Sequence, residues 1–269
     1  MLTPALLPLL LLTADPPRTI YGAPREMPDV VESPWSIGGN VATGWSSDYV
    51  FRGFEILEPG GREDSGNYYL DAQLTLERDN RPVVYVELFA NAAESDPLVE
   101  FQTYQPTIAA TGRIDALQWT VGHTSFFYPE RPQLRSNEVF VEFEYIQNTA
   151  VIDDDYWQPF VLAAYDYDRF DGLYAEAGLR LFVPMLEPAY LNFEAAVAAV
   201  ADHDQFGGSG LQHYRVGVTA GYELNELLNV SRSRGRVSIE GTLVYTDGID
   251  DDLASTTQLH GGVGVRLQF

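Results

Sequence analysis

From Thr257 to the C-terminal Phe269 the chain alternates with a period of two. Leu259, Gly261, Val263, Val265, Leu267 and Phe269 share one parity, and His260, Gly262, Gly264, Arg266 and Gln268 the other. In a strand, successive side chains point to opposite faces, so this segment has one apolar face and one small or polar face. A strand of that length built this way must separate two different media. The same pattern recurs along most of the sequence, and it limits the fold more than any composition figure does.

The first repeat begins at Trp35 and places Ile37, Gly39, Val41, Thr43 and Trp45 on one face. The second has Tyr68, Leu70, Ala72, Leu74 and Leu76 opposite Tyr69, Asp71, Gln73, Thr75 and Glu77. A third sets Val84, Val86, Leu88 and Ala90 against Tyr85, Glu87, Phe89 and Asn91. A fourth, over 101–111, contains Pro106, which removes one ladder donor. Leu117, Trp119 and Val121 mark a fifth, and Val139, Val141, Phe143 and Tyr145 a sixth. A less regular seventh covers 156–167. Leu173–Leu181, Leu191–Val197, Tyr214–Ala220 and Val237–Tyr245 carry four more, before the C-terminal strand. This makes about twelve, an even number, as bacterial membrane barrels have.

Glu142, Glu176, Glu194 and Glu240 lie in the middle of such strands, on the polar face. A charge there excludes a core that is apolar on both sides, so the polar face meets bulk water or a wet lumen. Strands of about ten residues are long for a sandwich and suit a tilted bilayer crossing. Aromatic residues gather near strand ends, at Trp35, Trp45, Tyr68, Trp119, Tyr145, Tyr156, Trp157, Tyr245 and Phe269, as in interfacial girdles. The expected fold class is therefore all-β: a transmembrane antiparallel up-and-down β-barrel of about twelve strands.

The final strand also resembles the closing strand of bacterial outer-membrane barrels. The resemblance implies that Phe269, with Leu267 and Val265, belongs to the signal read by the barrel-assembly machinery.

Hydrophobic content of 45% and a mean hydropathy of −0.14 are too polar for a bundle of membrane helices. They suit a barrel, in which only half of each strand faces lipid. The formal net charge is −23, and every residue counted as Lys or Arg is an arginine. Such acidity repels phosphates and argues against a nucleic-acid partner. It fits cation passage, and equally fits loops that keep the molecule soluble. The chain has no cysteine, so disulfides and thiolate chemistry are excluded.

Met1 to Ala14 holds a short apolar run, too short to span a bilayer and suited to a secretory signal peptide, although no Lys or Arg precedes it. The cut could follow Ala14 or Ala23. Residues 15–34 are rich in Pro and charge and read as a periplasmic linker, leaving 35–269 as the barrel. With both termini periplasmic, the longer odd-to-even connections face outward and short turns such as Arg78–Asn80 and Pro184–Pro188 face inward. Asn225–Gly235 breaks this habit.

The first strand runs on into Ser47-Asp48-Tyr49-Val50-Phe51-Arg52-Gly53. This SDYVFRG stretch resembles the opening of the TorF family of porins. Further echoes follow in order at Tyr85–Glu87, at Phe126-Phe127-Tyr128-Pro129, and at Tyr165-Asp166-Tyr167 leading to Gly172-Leu173-Tyr174. What the resemblance implies is an outer-membrane location, lipid as surroundings, and passage of small ions or solutes.

Strand parity turns Asp48 and Arg52 inward, too far apart to pair. Arg52 is expected to meet Asp71 or Glu87, either as a structural ion pair or as one side of a transverse field at a constriction. The other inward candidates are Glu138, Glu142, Glu144, Glu176, Arg180, Glu194, Arg215 and Glu240, joined by Arg236 and Arg266. Their acid excess predicts a modest cation preference in an open lumen. A filled lumen would make the chain an envelope anchor or a surface-binding protein.

His123 and Ser125, with Asn137 on the next strand, are similar to the His-x-Ser pair and Asn partner of outer-membrane phospholipase A, which would make Ser125 the nucleophile against a lipid ester. The surrounding residues of that motif are missing, and no catalytic residues are assigned. Asp153–Asp155, Asp202-His203-Asp204, and Asp247 with Asp250–Asp252 are oxygen-rich but lack the spacing of a calcium-binding hand. They read as turns. No cofactor or resident metal is expected.

Overall fold

The computed structural model describes residues 35–47, 50–52, 54–55, 66–78, 81–93, 102–129, 131–148, 156–185, 188–253, 255 and 257–269. The expected signal peptide, the linker, Asp48 and Asp153–Asp155 lie outside them.

Alternation becomes long antiparallel strands: β1 (Trp35–Ser46), β2 (Asn67–Arg78), β3 (Arg81–Ala93), β4 (Gln102–Ile114), β5 (Leu117–Phe126), β6 (Ser136–Tyr145), β7 (Tyr156–Asp166), β8 (Gly172–Pro184), β9 (Ala189–His203), β10 (Gly208–Glu223), β11 (Arg236–Gly248) and β12 (Gln258–Gln268). Each pairs with its sequence neighbours, and β12 pairs with β1, so the sheet closes as a twelve-stranded barrel. A two-residue strand, Gln147–Asn148, extends the edge of β7. Closure matters because it leaves no row of unpaired backbone groups in an apolar medium.

The last residue completes the seam. Phe269 donates its N–H to the Gly39 carbonyl at 3.0 Å and accepts from the Gly39 N–H at 2.9 Å. Its ring lies against Gly39, where a Cβ would come within 3.0 Å of the ring.

Outward positions are apolar and exposed, among them Ile37, Leu74, Val121, Val161, Val216 and Leu259. An exposed apolar belt on this scale marks a surface that meets lipid or a partner. Aromatic rings rim it at both ends. Trp35, Tyr145, Tyr222 and Phe269 stand at the end where β1 begins and β12 finishes; Tyr68, Tyr104, Tyr165 and Tyr167 stand at the opposite, loop-bearing end. Tyr156, expected in a girdle, instead points inward, is buried, and stacks on Phe182 at 5.2 Å.

One reading of a single strand is corrected. β7 alternates as cleanly as its neighbours, with Tyr156, Gln158, Phe160, Leu162, Ala164 and Asp166 inside. Its inner face is largely apolar, which hid the period in the sequence. Pro106 weakens β4 locally, as the missing donor predicts. The ladder to β5 lapses beside it, at Gln105 and Pro106, and resumes as a bridge between Tyr104 and Phe127 with both bonds at 2.9 Å.

The long connection between β10 and β11 folds around Asn225, whose side chain is buried. Its amide donates to the carbonyls of Gly235 (2.7 Å) and Val230 (3.2 Å), and its oxygen accepts from the Val237 N–H (2.7 Å). One side chain thus supplies the partners that the irregular backbone lacks.

Candidate functional site: a charged and divided lumen

Every inward residue expected from the sequence and described here points into the barrel, and most of the charged ones gather in two separate ionic centres rather than one ladder. The first is built on β6, β8, β9 and β10. Arg180 donates to Glu144 at 2.6 Å and to Glu194 at 3.0 Å, and lies 3.5 Å from Glu142. Arg215 donates to Glu176 at 2.8 Å and to the other oxygen of Glu194 at 2.9 Å. Gln118 of β5 caps Glu144 at 2.9 Å, and the Tyr174 hydroxyl caps Glu176 at 2.6 Å. The Arg180 guanidinium also sits 4.0 Å above the Phe160 ring. Two arginines thus hold four carboxylates, and the surrounding hydrogen bonds supply what bulk water otherwise would.

The second centre is built on β11, β12, β1 and β2. Arg266 donates its Nε to both oxygens of Glu240 at 3.1 Å, reaches Asn40 at 3.3 Å, and stands 4.0 Å from Asp71. Tyr190 of β9 donates to Glu240 at 2.6 Å, while Asn40 donates to Gln73 at 2.9 Å. Register explains the grouping, since Ala42 stands opposite both Asp71 and Arg266.

Arg52 departs from expectation. It holds Glu138 of β6, at 2.6 Å, rather than Asp71. The physical reason is that β1 ends at Ser46, and Arg52 belongs to the turn of a short hairpin (Val50–Phe51 with Phe54–Glu55). Its backbone is left-handed, with φ 50°, so strand parity does not aim its side chain. The guanidinium enters the barrel beside Glu138 and lies 4.5 Å above the Tyr174 ring. Tyr128, buried nearby, has its phenol pushed above the usual range by burial, against the lowering field of Arg52.

The half of the interior nearest the loops is itself divided. Ala109 of β4 with Phe140, Leu162, Ala164, Tyr174, Ala198 and Val200 of β6–β9 forms an apolar cluster, closed over by Phe206 and Leu253 from the β9–β10 and β11–β12 connections. Phe206 is fully buried, with its ring 4.6 Å from His203 and 6.4 Å from Tyr174. Across from it, β12 and β1–β4 present His260, Ser46, Asn67, Asn91 and Thr103, all buried and uncharged or weakly basic. Sequence reading passed over both walls because it followed formal charge. Parity had placed Asn91 and His260 on the inner face without marking them as site residues, while Phe206 has no strand parity to follow.

His123 and Ser125 do not make a nucleophile pair. His123 shares a 2.8 Å hydrogen bond with the Tyr167 hydroxyl, while Ser125 donates to Asn137 at 2.7 Å. The Asn137 amide donates in turn to Asp168 rather than to His123. The acidic loops act as turns: Asp202 accepts from Ser209, Asp250 from the Asp252 N–H, and Asp247 from Thr257. Among the described residues no group of three His, Asp or Glu is disposed to hold a metal ion.

Strand pairing, an apolar exterior and an ion-paired interior define this chain as a closed twelve-stranded antiparallel β-barrel. No family model and no curated protein matches its sequence, so the TorF resemblance stands as an expectation. Among solved structures it is similar to an outer membrane channel of Pseudomonas putida F1, at 12% identity and TM-score 0.45, covering 89% of this chain and 97% of that one. It is also similar to OmpF of Salmonella typhi, at 8% identity and TM-score 0.42, covering 87% and 97%. The β domain of the Bordetella autotransporter BrkA gives 10% identity and TM-score 0.40, covering 88% and 100%. Likeness at that level is general, and the fold assignment rests on this chain's own strand pairing.

Proposed function

We propose that this chain is a narrow porin of the bacterial outer membrane that passes small ions or solutes with a modest preference for cations. The observation that carries the reading is the charge of the inward face. Asp71, Glu87, Glu138, Glu142, Glu144, Asp166, Glu176, Glu194 and Glu240 stand there against Arg52, Arg180, Arg215, Arg236 and Arg266. A net negative lumen lowers the free energy of a passing cation and raises that of an anion. Arginines extended across the interior exclude large solutes. The apolar belt supports lipid as the barrel's surroundings, and the outward row of Val265, Leu267 and Phe269 is the surface the assembly machinery would meet. With both termini periplasmic, the Phe206 end faces outside.

A second reading, a closed barrel serving as an envelope anchor or surface-binding protein, draws on the seal that Phe206 and Leu253 form at the loop end. Conductance separates the two. Refolded protein in a planar bilayer under a salt gradient is expected to open in discrete steps with a cation-selective reversal potential. An inserted, folded protein that stays silent would overturn the porin reading and leave the anchor. No catalytic role is assigned, since His123 and Ser125 bond elsewhere.

A further inference from the structure

The connection from β10 to β11, residues 224–235, is longer than a hairpin needs, since neighbouring antiparallel strands close with about 2–5 residues. It is also firmly built. Besides the three bonds of Asn225, the Leu228 N–H donates to the Leu224 carbonyl at 2.9 Å, and the Val230 N–H to that of Asn225 at 2.9 Å. Asn229 makes a left-handed turn at φ 55°, and the Arg234 N–H closes a second turn onto the Ser231 carbonyl at 2.9 Å. This frame holds Leu227 and Leu228 outside it. Leu227, 78% exposed, is the most exposed large apolar side chain among the described residues, and Leu228 is 51% exposed.

The connection stands at the rim of the apolar belt. Register sets outward Tyr222, Ile239 and Val265 side by side just before it, all three exposed. Its last residue, Gly235, lies against outward Leu267: a Cβ there would be 3.5 Å from Leu267 Cδ1. The two leucines therefore extend the belt beyond the strand ends, and an ordered apolar extension of this kind marks a contact surface. Charge lies beside it. Arg232 holds Glu223 at 2.7 Å yet keeps 47% of its side chain exposed. Arg234 is exposed and has no ion-pair partner among the described residues, in a chain of formal net charge −23. Glu226 is exposed on the single helical turn Asn225–Leu228, where successive side chains stand about 100° apart, so it and Leu228 take nearly opposite sides.

We infer that the β10–β11 connection is a phospholipid anchor: Leu227 and Leu228 enter the acyl boundary of the leaflet at the end where β1 begins, and Arg234, with Arg232, binds the headgroup phosphate. Inserting the leucines removes apolar surface from water. A guanidinium matches phosphate oxygens with parallel charged hydrogen bonds, and its long stem lets the head stay at headgroup level while the leucines go deeper. Glu226, turned away from Leu228, keeps its carboxylate in water. An apolar wedge beside basic residues is the pattern of segments that lie in a membrane interface. This inference rests on the outer-membrane reading above and is independent of whether the lumen conducts.

The absence of cysteine makes a direct test available. Leu227→Cys is given a nitroxide label and refolded into vesicles of phosphatidylcholine and phosphatidylglycerol. Collisions of the label with oxygen, which concentrates in lipid, are compared with those of a nickel chelate, which stays in water. Val216→Cys in the middle of the belt and Asp251→Cys in the β11–β12 connection set the two limits; all three positions are exposed, so the interior is untouched. The oxygen-to-nickel ratio at 227 is expected to approach that at 216 and to exceed that at 251, and Arg234→Gln is expected to lower it. A ratio at 227 like that at 251, or a label shielded from both reagents by protein, overturns the anchor and leaves the barrel in its membrane. A water-like ratio at 216 overturns the outer-membrane reading itself. An unchanged ratio in Arg234→Gln overturns the phosphate contact. In the unaltered protein, the Leu227 methyls are expected to cross-relax with acyl chains rather than with water, and the reverse overturns the inference.

Discussion

Arg52 holds Glu138 at 2.6 Å, tying a turn beyond the first strand to the inner wall of the sixth. Both side chains are about 95% buried, so neither charge has water to fall back on if its partner is lost. Removing one member of such a pair costs about 3–5 kcal/mol. Arg52→Ala is expected to lower the urea midpoint of the refolded barrel, and Glu138→Gln to cost less because the amide still accepts. If selectivity changes in Arg52→Ala while the midpoint does not, the pair acts on permeation rather than on stability.

Glu194 is the hinge of the larger ionic centre, accepting from Arg180 and Arg215 on its two oxygens. Glu194→Gln leaves two arginines with one fewer counter-charge. The reversal potential under a salt gradient is expected to move toward anions, and the unfolding midpoint to fall. A reversal potential that stays put would show that this centre lies off the path of the ion.

Phe206 closes the loop end, packed on His203 and Tyr174. Phe206→Ala removes a fully buried ring, a loss of about 3–5 kcal/mol in a well-packed core. The local seal should loosen before the barrel does, because Gly207 and Gly208, both at positive φ, leave the connection little side-chain packing of its own. Single-channel conductance is expected to rise, with strand content unchanged by circular dichroism.

Phe269 pairs with Gly39 through both backbone bonds and lays its ring on the glycine. Gly39→Val puts a branched side chain into that contact and is expected to slow closure of the β1–β12 seam, read as a lower folded fraction on refolding into liposomes. Phe269→Ala keeps the backbone bonds and tests the ring alone. In cells it is expected to lower the amount reaching the outer membrane.

Alternation was enough to find the wall. From Ile37 to Leu267 the period of two survives because lipid-facing and lumen-facing residues cannot trade places without burying charge or exposing apolar surface. It blurred at β7, where inward Phe160, Leu162 and Ala164 are as apolar as the outward residues. Inwardness of Glu142, Glu176, Arg180, Glu194, Arg215 and Glu240 was legible for the same reason.

Partnership was not legible. Parity says which face a side chain takes, while pairing across two or three strands depends on register and on how far an arginine reaches. Arg180 therefore spans β7 to hold Glu142 and Glu144, and Arg52, set by a left-handed turn rather than a strand, finds Glu138 instead of Asp71. The sequence by itself determined an all-β chain with one apolar and one charged face per strand, because that follows from local periodicity. Only the tertiary structure decided which carboxylate meets which arginine, and that one side of the lumen is sealed while the other stays polar, because both depend on distances between strands that the chain order does not contain.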